Sequence, residues 1–400
     1  MKKRVLTLFA VASISFAAFT VSCSDDDKNT PSNPSSFVLD RDNLKGDIID
    51  GEVILESGTY KLTGKLVVKA GAKLTIKPGV IIEATDFVPG AGESIRYIAI
   101  SQDAEIDVRG TSSSPVVMTA ATHAPAKWGG LVICGRAPIN KGLTASAEVG
   151  DDLTYGGTET GDSSGSIKYL RVEYSGYAYN ANKEFNGVSF FGVGNGTTVE
   201  NIEVYEGSDD GFEWFGGTVN TKNLVVINSN PAAVGDDLFD WTEGWNGTNE
   251  NWYGKRTNDG NRGIEADNNS NNHLADPISN PTIKNLTLIG SGTNDTSSES
   301  QAMKLRVGTK GKFDNVVLAN WKTGFDVEHT EGVGYVAAGS LKATRVKFEN
   351  VTTKATGKNT DGTAVLPAVI NNVFSEDNTA TGAGNGTATP TWAQGWTVGM

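Results

Sequence analysis

The residue types that most often carry metal or covalent catalysis are scarce here. Four hundred residues hold two cysteines and three histidines. Cys23 and Cys134 cannot build a disulfide framework. His123, His273 and His329 lie far apart in sequence, so no Cys–His cluster marks a zinc site. The chain also lacks a Gly-rich phosphate loop, a Ser-x-x-Lys pair and a nucleophile elbow. The spacing of a twelve-residue calcium loop ending in Glu is absent too. Basic residues are the minority, 34 Lys and Arg against 47 Asp and Glu, for a formal net charge of −13. That balance excludes the basic footprint of a nucleic-acid binder and suits a surface that holds cations. No segment keeps a convincing helical period.

What is present begins with an export leader over 1–22. Lys2, Lys3 and Arg4 precede the apolar stretch Val5 to Val21, which Thr7, Ser13 and Ser15 interrupt. Such a stretch reads as a cleaved leader rather than a membrane span. Thr20-Val21-Ser22-Cys23 resembles a bacterial lipoprotein cleavage box, with Thr20 in place of the usual Leu or Val. The resemblance implies a lipid on Cys23. Ser24-Asp25-Asp26-Asp27 is similar to the acidic signal that sends such lipoproteins to the exterior of the outer membrane. Residues 23–36 read as a flexible acidic tether. Cys134, in the apolar run Leu131-Val132-Ile133-Cys134, reads as a buried inert thiol.

Residues 37–400 read as short strands between Gly turns, such as Gly64-Lys65-Leu66-Val67-Val68 and Glu105-Ile106-Asp107-Val108. Five segments share one register: Phe212-Glu213, Phe239-Asp240, Ile264-Glu265, Met303-Lys304 and Phe325-Asp326. The first two extend to Asp209-Asp210-Gly211-Phe212-Glu213-Trp214 against Asp236-Asp237-Leu238-Phe239-Asp240-Trp241. Repeats 22 to 39 residues apart point to stacked coils, hence an all-β parallel β-helix. A propeller would show a longer period, about 40 to 50 residues. A second column, Asn followed by an apolar residue, recurs at Asn201, Asn223, Asn285, Asn315, Asn350 and Asn372, with Tyr169 in the same slot. Asn tolerates left-handed backbone and can bond to its stacked copies. Residues 136–165 and 243–262 read as loop excursions. Residues 37–60 are expected to cap one end, and the tail with Trp392 and Trp396 the other.

Alternation sends Phe212, Trp214, Phe239, Trp241, Ile264, Met303 and Phe325 inward, and Glu213, Asp240, Glu265, Asp267, Lys304, Arg306, Asp326 and Glu328 outward. Adjacent strands lie about 4.8 Å apart, so Glu213, Asp240 and Glu265 repel unless something offsets them. A bound calcium is expected, with Glu213, Asp240, Glu265 and Asp267 as ligands and the turn residues Asp210 and Asp237 close by. The bland alternative is a solvated face whose Asp residues cap turns. Lys304 and Arg306 read first as cross-coil salt-bridge partners. Trp245, Trp252 and Tyr253, in the second excursion, are expected to be exposed and to contact ligand.

Residues 166–290 resemble an uncharacterised family of bacterial secreted and surface-lipoprotein β-helices. Arg171-Val172-Glu173-Tyr174, Gly194-Asn195-Gly196-Thr197-Thr198-Val199-Glu200, Asp209 to Gly217 and Gly263-Ile264-Glu265-Ala266-Asp267-Asn268 carry the resemblance, and Trp128-Gly129-Gly130-Leu131-Val132 fits it. It implies a right-handed parallel β-helix and a surface location, but no reaction. Two functions remain open. One is a non-catalytic surface binder of glycan or of a partner in an outer-membrane uptake complex. The other is a polysaccharide lyase or hydrolase, by fold analogy alone. A lyase would use Lys304 or Arg306 as base beside calcium on the carboxylates; a hydrolase could pair Asp210 with Asp237. A structural or adhesive role is the third option.

Overall fold

Corners made by left-handed residues divide each coil of this chain into three flat faces. The computed structural model describes residues 33–88, 94–149, 152–180, 183–230, 235–257 and 260–400. The leader and Cys23 lie outside the described residues, as does most of the tether. At the tether's end, the Ser36 N–H donates to Asp50 Oδ1 at 2.7 Å.

All three faces are parallel. The first runs from Glu52–Leu55 through Lys73–Ile76 and Glu105–Arg109 to the front halves of Gly165–Glu173, Thr198–Tyr205 and their successors. The second takes the front half of Gly58–Val68, then Val80–Ala84, Val116–Ala120 and the back halves of the same long strands. The third runs from Leu44–Ile48 through Ile98–Ile100, Leu131–Cys134, Val188–Phe191, Phe212–Phe215, Phe239–Thr242, Ile264–Ala266 and Gln301–Leu305. It ends on the last parts of Gly311–Glu328 and Leu341–Lys358. This is the expected parallel β-helix.

The corner between the first two faces explains the Asn column. Tyr169, Asn201, Asn223, Asn251, Asn285, Asn315 and Arg345 all have φ between 51° and 61° there. Each Asn Nδ2 donates to the Oδ1 of the previous coil at 2.8 Å, from Asn223 to Asn201 and on through Asn251, Asn285 and Asn315. Two expected members leave the column. Asn350 bonds Asn320 in a separate corner, and Asn372 sits in a short 3₁₀ turn. Asn251 joins it instead, because 243–262 is not all loop: Thr248–Arg256 is a full strand.

Outward on the first face, Lys168, Glu200, Lys222, Glu250, Lys284 and Asp314 stand in one row, alternating in sign. Facing opposite charges of this kind contribute a few tenths of a kcal/mol to about 1 kcal/mol each.

Inside, Phe212, Trp214, Phe239, Trp241, Ile264, Met303, Phe325 and their neighbours are fully buried in one continuous core. The end caps differ from expectation. Leu44–Ile48 and Glu52–Leu55 already belong to the first coil, so 37–60 is not a cap. At the far end, the helices Thr330–Ala337 and Pro367–Ile370 bury Val336 and Ile370 against the core. The tail instead runs back along the second face. Tyr253 Oη donates to Thr387 O at 3.0 Å, and the Val398 N–H bonds both oxygens of buried Glu203. Trp396 packs edge-on against Tyr169.

Candidate functional site

The third face changes character along the helix. Its outward positions begin apolar: Val67, Ala99, Val132, Cys134, Phe191 and Phe215 form a buried cluster. The excursion after Cys134 covers them, with Ile139, Ala147, Val149, Leu153 and Tyr155 packed on top. Burial pushes the Cys134 thiol up to about 12, which leaves it inert. Beyond this lid the same face turns charged. Glu213, Asp240, Glu265, Lys304 and Asp326 stand on successive coils in the register read from the sequence.

Cations divide this charged stretch in two. On the later coils every acid is paired. Lys304 Nζ lies 2.7 Å from both Asp326 Oδ2 and Glu328 Oε1. Arg306 reaches Glu265 Oε1 at 2.7 Å and Asp267 Oδ1 at 2.8 Å. Arg262 lies 2.9 Å from Glu265 Oε2, 3.3 Å from Asp237 Oδ2 and 2.7 Å from Glu299 Oε2. Glu265, Asp267 and Asp237 each have an arginine beside them, although Asp237, Asp240 and Glu265 also bring oxygens within 4.8 Å of one another. The cross-coil reading of Lys304 and Arg306 holds.

The earlier acids have no such partner. Asp210, Glu213 and Asp240 bring carboxylate oxygens within 4.8 Å of one another. No cation among the described residues forms a salt bridge with any of them. Asn186 Nδ2 donates to Glu213 Oε2 at 2.6 Å, and the Asp237 N–H donates to Asp210 Oδ1 at 2.7 Å. Burial, then mutual repulsion, holds all three carboxyls well above the usual range. Asp209, pushed up to about 9 by burial and by Glu184, sits beside them with Asp236. Glu148, from the lid, adds its charge to Glu213. Burial raises Glu148 itself to about 7.

Sequence reasoning missed Arg262, Asn186, Glu148 and Glu184. Only Arg262 left a signal. The slot two residues before the inward Phe or Ile reads Asp210, Asp237, Arg262 on successive coils, so the acid run changes sign at its third member.

The aromatic expectation is overturned. Trp245 and Trp252 are fully buried, Trp245 stacked on Trp214 at 4.5 Å and Trp252 on Phe239 at 4.6 Å. Tyr253 faces outward but lies under the C-terminal tail. None is offered to a ligand: Trp252 lies in the strand Thr248–Arg256 with its side chain in the core, and Trp245 packs into the same core just before that strand.

A family of pectate-lyase-like β-helix domains matches residues 46–397. The chain belongs to that family. No curated protein and no solved structure matches it. Its description fits a surface binding module or a protein that acts on polysaccharide.

Proposed function

We propose that this protein is a non-catalytic carbohydrate-binding module whose third face takes calcium on Asp210, Glu213 and Asp240. One observation carries the reading: among the described residues these three carboxylates meet with no salt-bridge partner, while Glu265, Asp326 and Glu328 further along the face each have one. Oxygen-only ligands in a flexible arrangement suit calcium and not zinc. A calcium there would stand one coil from Arg262 and two from Arg306, which suits an acidic sugar running along the face. We also propose that lipid on Cys23 holds the module at the outer surface of an outer membrane.

The enzyme alternative rests on the family's description. It is disfavoured by the state of the two candidate bases. Burial pulls Lys304 down, but its bonds to Asp326 and Glu328 outweigh that and hold it above the usual lysine range. Arg306 is held up in the same way by Asp267 and Glu265. A general base must be able to shed its proton near working pH. The hydrolase pairing is no better, since Arg262 grips Asp237, from its backbone N–H and from its side chain.

Acidic polysaccharides incubated with the protein and calcium test the choice. No rise in unsaturated-product absorbance is expected. A rise that Arg306→Ala abolishes overturns the binding reading. Calorimetric calcium titration of Glu213→Gln and Asp240→Asn tests the site itself; heats equal to those of the unaltered protein remove it.

A further inference from the structure

Two of the chain's three histidines meet at one edge of the charged stretch. His273 comes from the turn after Asp267, and His329 follows Glu328. Their rings touch edge to face, with centroids 4.5 Å apart. His273 Nδ1 lies 3.1 Å from Glu331 Oε2, so that nitrogen carries the proton and donates. His329 Nδ1 accepts the Val307 N–H at 3.0 Å, so the ring is neutral with its proton on Nε2. That tautomer also rules out a metal bond from His329 Nε2.

Both ends of the Val307–His329 bond are strained. Val307 has φ 36°, an outlier for a β-branched residue. His329 has φ 74° and ψ 148°, a region left almost entirely to glycine. Gly308 follows at φ 84°, and the His273 carbonyl fills the space its side chain would need. Strain of this sort persists only where the surroundings enforce it. Here one enforcing bond has a titratable acceptor.

We propose that His329 is a pH-sensitive clasp: as pH falls, its protonated Nδ1 faces the Val307 N–H donor to donor, and the turn Arg306 to Gly308 parts from the start of the helix Thr330–Ala337. The charged groups around the ring oppose one another. Glu328, Asp267 and Glu331 favour the imidazolium, while burial first and His273 second disfavour it. Glu328 is held by Lys304 and Lys358, and Asp267 by Arg306. The net effect keeps His329 below the usual histidine range. The neutral, clasped form is thus stable above about pH 6.5 and is lost as pH falls through the lowered value. Because Arg306 precedes Val307, opening would free it from Glu265 and Asp267; this consequence for ligand rests on the binding function proposed above, whereas the clasp does not.

Histidine-selective ¹⁵N spectra and amide exchange of the full chain test it, with no ligand present. At pH 7.5 His329 should show an unprotonated Nδ1. Protection of the Val307 amide should fall at least tenfold between pH 7.5 and 5. It should hold in His329→Asn, whose Oδ1 stands near the Nδ1 position and does not titrate. His273→Ala, which removes the neighbouring ring, should move the loss to higher pH. A protonated Nδ1 at pH 7.5, or an equal fall in His329→Asn, overturns the proposal. Either failure leaves calcium binding to Asp210, Glu213 and Asp240 untouched, and failure of calcium binding leaves the clasp untouched.

Discussion

Replacing Glu213 by Gln should stabilise the calcium-free protein, which is unusual for a change at a half-buried polar position. Glu213 and Asp240 face each other on adjacent coils, and their oxygens and those of Asp210 lie within 4.8 Å of one another. Two unit charges at that spacing repel by about 3 kcal/mol at an effective dielectric of about 20. Gln keeps an oxygen to accept from Asn186 and removes the charge. The gain depends on pH in a fixed direction. Carboxyls held above their unfolded values bind protons more tightly in the native state, so their stability is full below about pH 4.3 and is lost as pH rises through the native values. The unaltered protein should lose stability as pH rises above about 4.3, and Glu213→Gln should lose less. At pH 8 the variant should be up to about 3 kcal/mol more stable, or roughly 4 °C for a chain of this size. Calcium should close most of that gap. At about a hundred times its dissociation constant it adds roughly 2.7 kcal/mol to a protein that binds it, and the variant should gain much less. Calorimetric melts at pH 5 and 8, with calcium and with chelator, measure all four states. Equal loss of stability in the variant at both pH values, with the same calcium shift as the unaltered protein, would refute the reasoning.

Other outcomes follow from the same geometry. Asn251→Ala loses two ladder bonds, about 1–3 kcal/mol together, and adds about 1–2 kcal/mol for alanine in a left-handed corner; Asn251→Gly should show only the first part in urea unfolding. Arg262→Gln leaves Asp237 and Glu265 short of their shared partner, and denaturation at pH 7 should show a loss of roughly 3–5 kcal/mol that shrinks as those acids protonate at lower pH. Trp252→Ala should cost roughly 3–5 kcal/mol as a core deletion while leaving calcium affinity unchanged in calorimetry.

The coil was legible because one constraint repeats. Each turn must bury an apolar side chain beside a charged one at the same point, and Phe212-Glu213 and Phe239-Asp240 show it within six matching residues. The Asn corner was legible for the same reason, since only a few residue types accept φ near 60° on every coil. Its failures are informative. Asn251 was hidden because Trp252 and Tyr253 beside it look like loop aromatics; a strand that buries tryptophan inward and tyrosine under a tail has no polar alternation to announce it. The tail could not be placed from sequence at all. Ala383, Ala393 and Trp396 cover Val225, Ile227 and Ile289, and nothing local in the chain records a contact made across such separations.

The site was half legible, and the division has a physical cause. Period-two alternation fixes which side chains share a face, so Glu213, Asp240 and Glu265 had to line up. It says nothing about long side chains that arrive from the turns. Arg262 enters from the turn before Ile264, and Arg306 from the end of its strand; together they place the third acid in ion pairs. Whether a carboxylate column recruits metal or protein cations is thus decided at its edges. Here the edge residue is Asp on two coils and Arg on the next, so charge is balanced from within only where Arg262 begins. The coils before it bring Asp210, Glu213 and Asp240 together with no salt-bridge partner among the described residues, and burial with mutual repulsion raises all three carboxyls.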